Sequence, residues 1–289
     1  MSFPSFASRV SRPPFIYPER RASCNVRKVK SVIKSLPGGS QSRLVLCDDG
    51  RLYVLKMHPN PQGPNVLANE ALGALLLHGL GLPAPKWKRI SIDLHAVELF
   101  ADFAMTAADN NTSFPMCGLH FASEHLGSPD CNLIDLMPRS EFRRVRQRAE
   151  LIGIQIFDIW ASHQDERQCV YRRPHSEGLY DVYFIDNGHL FGGPRWSEMM
   201  RPSRAYAFGF PPIIVNSPEV VAWFKLFESR LPKLLYHALT QIPKYWYEGD
   251  IYRLFARLLD RLDNIRTLVE RDSTSRSLSS QVLNMGIGR

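Results

Sequence analysis

No stretch of this chain approaches the roughly eighteen consecutive apolar residues of a membrane span, and no secretory leader is visible at its start. The expectation is a soluble, cytoplasmic protein with no membrane partner. Paired cysteine motifs are also missing. Cys24, Cys47, Cys117, Cys131 and Cys169 are scattered and odd in number, with no CxxC, which supports neither a disulfide framework nor a zinc site. Net positive charge is scarce outside one end. Of the net +8, about +6 comes from residues 1–30, where Arg9, Arg12, Arg20, Arg21, Arg27, Lys28 and Lys30 face only Glu19. The remaining body is nearly neutral, whereas a nucleic-acid-binding face needs basic residues clustered within the fold.

Residues 1–28 are rich in Ser, Arg and Pro and show no sustained apolar period, so they read as a disordered basic tail. Organellar targeting would suit the Arg and Ser content, but Pro4, Pro13, Pro14 and Pro18 break the amphipathic helix it needs. At the other end, residues 272–289 are Ser-rich and read as a second disordered tail.

The whole chain, 289 residues at 44% apolar content, leaves ample material for a full core between the tails. From Val29, VKSVIKSL, LVLC and RLYVLK read as three short strands. Asp49-Gly50 closes a hairpin between the second and third, and a Gly-containing loop joins the first two. VLANEALGALLLHGLG has helical spacing and stops at glycine. Residues 87–100 read as two more strands, which makes 29–100 a β-rich lobe with one helix. Residues 101–138 show no strong period. From 139 an amphipathic helix is expected, with Ser140 at its N-cap, running through LIGIQIFDIW into the polar loop SHQDER. QCVYRR and LYDVYFID alternate as a hairpin. The last third is helical from a Ser217-Pro218 start, so residues 101–271 form a mainly helical second lobe.

Four ionisable residues carry the chemistry. Lys56 ends a strand on the face shared with Leu52 and Val54, where a charge needs a partner or ligand. Glu70 lies on the following helix, placed to pair with it and orient it toward ATP phosphates. Asp186 ends the strand YFI before Asn187-Gly188, where its carboxylate can meet a Mg²⁺ ion, which prefers hard oxygen donors. Asp165 lies in a loop between a helix and a strand, where an aspartate accepts a hydroxyl proton or orients the nucleophile; His163, Gln164 and Arg167 surround it. Each residue alone has an ordinary reading, as a strand edge, a solvated helix face, an Asp-Asn-Gly turn or a solvated loop. Their order along the chain makes them a set.

With that order in place, the chain resembles the bacterial HipA-like kinase family, related to the HipA toxin serine/threonine kinase. The resemblance lies in GGSQSRLVLCDDGRLYVLK, LANEALGALLLHGLGLPAP, FDIWASHQDERQCVY, YFIDNGHLFGG and the C-terminal IPKYWYEGD to LLDRLDNIR, and covers about residues 29–270. It implies an α+β, two-lobed protein-kinase-like fold: a small antiparallel β N-lobe with one helix, a mainly helical C-lobe, and ATP with Mg²⁺ between them. By position, Lys56 would hold the phosphates and Glu70 would pair with it. Gly38, Gly39, Ser40 and Gln41 would cover the phosphates, Asp165 would be the catalytic aspartate, with His163 and Arg167 beside it, and Asp186 would bind metal. The substrate would be a protein or another hydroxyl-bearing acceptor, and a regulatory protein partner fits the family.

One departure stands out. Kinases of this kind carry an Asn about five residues after the catalytic Asp to hold a second metal, and here Val170 stands at that spacing. Gln168 or Asn187 would then supply the missing oxygen, or the domain is a nucleotide-binding pseudokinase that docks a partner. A nucleic-acid role confined to the basic tail is the third reading.

Overall fold

The computed structural model describes residues 26–106, 111–196, 201–205 and 210–286. Nearly all of the basic tail therefore lies outside the described residues. Alternating apolar residues build the first unit: strands β1 (Val26–Ser35), β2 (Arg43–Cys47) and β3 (Leu52–Lys56), helix α1 (Val66–Leu80), strand β4 (Trp87–Ile92) and a short helix α2 (Leu94–Leu99). The two-residue strands β5 (Met105–Thr106) and β6 (Thr112–Ser113) pair with each other, and β7 (Gly118–Glu124) follows. The sheet is a closed five-stranded barrel of order β1-β2-β3-β7-β4. The β2–β3 hairpin turns at Gly50, whose φ of 75° suits a residue without a Cβ.

Two features of the sheet differ from the sequence reading. The second strand expected within 87–100 is instead α2, because Asp93 caps it by accepting from the Ala96 backbone N–H. The strand that completes the barrel is β7, between β3 and β4, from the segment assigned to the second lobe. Nor is the sheet wholly antiparallel: β1 runs parallel to β4, pairing Val26 with Arg89, and this pairing closes the barrel.

The second unit holds β8 (Cys131–Ile134), α3 (Arg148–Trp160), β9 (Gln168–Pro174), β10 (Asp181–Ile185), α4 (Pro218–Leu239), α5 (Ile251–Asp263) and α6 (Ile265–Gly286). β8, β9 and β10 form a three-stranded antiparallel sheet. The helix expected from 139 starts only at Arg148, after a 3₁₀ stretch at Arg139–Arg144, so Ser140 caps no α-helix. Ser217 does cap α4, accepting from the Val220 backbone N–H. The terminal segment expected to be disordered from 272 continues α6 to Gly286, anchored by buried Val269. Thr274 and Ser275 hydroxyls bond back to the carbonyls of Glu270 and Arg271, which satisfies polar side chains inside a helix. Among the described residues, no helix is long and apolar enough to cross a membrane.

The apolar interior has two parts. Val45, Cys47, Tyr53, Leu55, Met57, Ile90, Phe103 and Ala122 fill the barrel. Helix α1, although it belongs to the β-rich lobe in sequence, is buried on nearly every side and shares the larger core with α3, α4 and α5. Leu67, Leu72, Leu76 and Leu77 are fully enclosed there, each contributing roughly 1.5–3 kcal/mol by burial. Two glycines permit this contact. A Cβ on Gly73 would lie 2.6 Å from Asn187 Cβ, and one on Gly79 would overlap Leu234 of α4. The helix that carries Glu70 is thus seated on the second lobe.

Candidate active site

Strand parity sends Tyr53 and Leu55 into the barrel and turns Lys56 outward, toward α1 and the seam between the units. There its Nζ donates to Glu70 Oε1 and, at 2.8 Å, to Asp186 Oδ1. Three residues separated by up to 130 positions therefore meet at one ammonium group. Lys56 is 7% and Glu70 3% exposed, whereas the Asp186 side chain retains 25%. Asp186 is the member of the cluster that reaches open space.

Burial opposes the charge on Lys56, but Glu70 and Asp186 outweigh it and hold the ammonium above its ordinary pKa. Burial likewise opposes ionisation of Asp186, yet Lys56 and a hydrogen bond with Glu70 bring it down to about 2. For Glu70 the balance goes the other way: burial and repulsion from Asp186 outweigh the pull of Lys56 and raise its pKa. One ammonium thus faces two carboxyl groups, of which Asp186 is held ionised and turned toward open space. The backbone of Asp186 is also unusual, with φ of 59°, a left-handed conformation that Asp tolerates better than most residues. It is the kind of local strain that a functional turn retains.

The cluster borders a small recess lined by Glu70, Ala74, Ala84, Pro85, Phe121, Ser123, Phe184, Ile185, Asp186 and Asn187. Its apolar wall, from Ala74, Ala84, Phe121 and Phe184, runs up to the carboxyl groups of Glu70 and Asp186.

Asp165 is half-buried on the loop after α3, where its Oδ1 accepts from the Glu166 backbone N–H at 2.8 Å. That loop is laced to the chain following Asp186. Gln164 N donates to His189 O at 3.0 Å, Phe191 N to Ala161 O at 2.8 Å and Gly192 N to Ser162 O at 3.0 Å. Two loops distant in sequence are thereby held side by side.

Arg167 and His163, read as neighbours of the catalytic aspartate, turn away from the open cleft. Arg167 grips Asp158 of α3 with two nitrogens, and its Nη1 donates to Ile185 O at 2.8 Å and Asn187 Oδ1 at 3.0 Å. Asp158 and Arg167 are both buried; burial works against each charge, and their mutual attraction prevails, lowering the pKa of Asp158 and raising that of Arg167. His163 is fully buried beside the same carboxylate, its Nδ1 3.3 Å from Asp158 Oδ1. Burial, then the charge of Arg167, depress its pKa and keep the ring neutral. These residues position the loops; they do not line the recess.

Asn187, one of the two candidates for the missing metal oxygen, is buried with its Oδ1 occupied by Arg167 and its Cβ against Gly73. Its amide oxygen is thus committed to Arg167, although the residue also borders the recess. Gln168 is exposed at the first position of β9, opposite Ile185 in the ladder and one residue from Asp186 in register. Val170 lies two residues further into the strand, paired with Tyr183.

In the loop expected to cover the phosphates, Gly38 takes φ of 114° and Gly39 is exposed. Ser40 O accepts from Asn60 Nδ2 at 3.2 Å, and its hydroxyl bonds with that of Ser42 at 3.0 Å. The Gln41 amide is occupied: Nε2 donates to Thr106 O at 2.6 Å, while Oε1 accepts from Thr106 N at 2.9 Å. Gln41 therefore braces the loop, leaving the backbone around Gly38 and Gly39 as the part free to meet a phosphate.

Sequence reading missed two residues, Asp158 and Asn69. Both carried a signal: an acid inside the apolar run IGIQIFDIW and an amide inside a helix buried all round each require a buried partner.

A β-barrel over a helical body, with a lysine, a helical glutamate and a strand-end aspartate meeting at the seam, defines a protein-kinase-like fold. Solved kinase structures superpose accordingly. The proinflammatory kinase CtkA of Helicobacter pylori matches with a TM-score of 0.54 and 11% identity over 86% of this chain and 98% of its own. The Golgi casein kinase matches with a TM-score of 0.54 and 16% identity over 87% of this chain and 75% of its own. Its structure with Mn/ADP bound gives 0.51 and 14% over 88% and 74%. No family model matches the chain, and no curated protein matches it in sequence.

Proposed function

We propose that this protein is an ATP-dependent kinase of the HipA-like kind, acting with Mg²⁺ on a Ser or Thr hydroxyl of a protein or on another hydroxyl acceptor. The observation that carries this reading is Lys56 Nζ held between Glu70 and Asp186 at the mouth of an apolar recess. Lys56 would bind the nucleotide phosphates, kept charged and oriented by Glu70. Asp186, with Gln168 beside it in register, fits a hard divalent cation, which takes one or two protein oxygens and completes its shell with water and phosphate oxygens. Bound there, the ion would neutralise charge on the β- and γ-phosphates. The Mn/ADP complex of the Golgi casein kinase supports use of a nucleotide and a divalent ion.

Asp165 would accept the proton of the acceptor hydroxyl as its oxygen bonds to the γ-phosphorus. The bond from that phosphorus to the β,γ-bridging oxygen breaks, and ADP leaves with its electron pair. Reduced thiols suit a cytoplasmic setting: Cys47, Cys117, Cys131 and Cys169 are free, and burial pushes the Cys47 and Cys169 thiols up to about 12. Incubation with γ-labelled ATP and Mg²⁺ is expected to label the protein itself or a lysate component. Asp165→Ala should remove that label without lowering Tm, and absence of label from wild type rejects the kinase reading.

Val170 at the usual second-metal spacing favours a second reading, a nucleotide-binding pseudokinase. ATP-dependent stabilisation without turnover would select it.

A further inference from the structure

In a kinase-like fold the helix bearing the glutamate usually has freedom to move, and the lysine–glutamate pair forms only when that helix is driven inward. Here the residue beside the glutamate removes that freedom. Asn69 is fully buried on α1, and both ends of its amide are engaged by the chain that follows Asp186. Its Nδ2 donates to Gly188 O at 2.8 Å, Leu190 O at 3.0 Å and Gly193 O at 3.3 Å, and its Oδ1 accepts from the Trp196 indole at 2.7 Å.

Neighbouring contacts act in the same sense. Asn65 N, at the start of α1, donates to Pro194 O at 3.0 Å, and a Cβ on Gly63 would lie 2.7 Å from Pro194 Cβ. One turn after Asn69, Gly73 admits the Asn187 side chain. Behind the helix, Arg230 of α4 donates to Gly79 O at 3.0 Å. The glutamate helix is therefore fastened to the metal-side loop at its front and to the helical lobe at its back.

We propose that Asn69 is a positioning residue that clamps the Glu70 helix to residues 188–196, so that the Lys56–Glu70–Asp186 cluster is assembled without phosphorylation or a partner to drive the helix inward. The consequence for activity rests on the kinase reading above; the mechanical claim does not. Asparagine meets the requirement because one planar amide offers two N–H groups to converging carbonyls and an oxygen to the indole. Leucine matches its size and offers none of these bonds. Aspartate keeps only the acceptor and sets a buried negative charge against three carbonyl oxygens.

The test compares wild type, Asn69→Leu, Trp196→Phe and a control, Val269→Ala, which loosens the core under α6. Hydrogen exchange of the nucleotide-free proteins is read first. Asn69→Leu is expected to lose protection at least ten-fold in residues 66–74 and 188–196 together, and Trp196→Phe to lose several-fold in the same segments. The control should do neither at an equal fall in Tm. Protection lost in only one segment, or equally in the control, overturns the clamp whatever the activity.

Turnover is then measured on wild type before and after phosphatase treatment. Equal rates are expected, together with a kcat in Asn69→Leu lowered ten-fold or more beyond the control and a smaller change in KM for ATP. A wild type active only before treatment, or only with an added partner, overturns the claim of a preassembled site. A wild type that neither binds nor turns over ATP in any state rejects the kinase reading instead, and the exchange result still decides the clamp.

Discussion

Two buried ionic clusters sit back to back across Asp186 and Asn187, and they differ in one respect. Around Arg167, one guanidinium meets one carboxylate, Asp158, and its further N–H contacts go to Ile185 O and Asn187 Oδ1. Charge and hydrogen bonds balance, and the side chains are buried. Around Lys56, one ammonium faces two carboxylates, and the second, Asp186, is partly open to the recess. The first cluster is closed; the second turns one of its carboxylates, Asp186, toward the recess. The same residue types thus make a strut or a site, depending on charge stoichiometry and access.

The largest effect should come from breaking the closed cluster. Arg167→Met leaves the buried Asp158 carboxylate without its guanidinium partner, which typically costs about 3–5 kcal/mol. Urea unfolding should show that loss, and Arg167→Met combined with Asp158→Leu should recover a large part of it. If the double variant is as unstable as the sum of the singles, the two residues are not a closed pair.

Breaking the open cluster should separate function from stability. Lys56→Met removes the only cation between Glu70 and Asp186, but Glu70 can take up a proton, so the expected fold destabilisation is smaller, about 1–2 kcal/mol. Stabilisation by MgATP in a thermal-shift titration should disappear. Retention of that shift would remove Lys56 from the phosphate site.

Acid titration sharpens the contrast further. The folded pKa of Asp186 is about 2 against an ordinary 3.8, so its carboxylate stabilises the fold above about pH 4, and that stability is lost as the pH falls toward 2. The stability gap between wild type and Asp186→Asn, on the order of 2 kcal/mol, should close over that window. Asn tolerates the same left-handed backbone, so the comparison isolates the charge. A gap independent of pH would mean that Asp186 is not held ionised by Lys56.

The smallest effect is expected in the loop proposed to cover the phosphates. Gln41→Ala removes two partly exposed hydrogen bonds to Thr106, worth about 1 kcal/mol, and should weaken ATP binding a few-fold through loop disorder. Unchanged affinity would place that loop away from the phosphates.

The β2–β3 hairpin, α1, the β9–β10 hairpin and α4 were legible because each is encoded locally, by alternation, helical spacing, the Asp49-Gly50 turn and the Ser217-Pro218 cap. Residues 87–100 and 139–147 were misread for the same kind of reason: Asp93 capping α2 and a 3₁₀ stretch before Arg148 act over a few residues where the apolar pattern is ambiguous. The strand β7 was missed because its place between β3 and β4 depends on partners more than 25 residues away in sequence.

The sequence by itself determined the elements, the neutral body and the order of Lys56, Glu70, Asp165 and Asp186, since composition and periodicity are properties of neighbouring residues. Only the tertiary structure decided that Lys56 touches both Glu70 and Asp186, that Arg167 and Asn187 face inward, and that Asn69 holds α1 to the opposite lobe. Those outcomes depend on which buried polar groups find partners across the core, and no local pattern specifies a partner more than a hundred residues away.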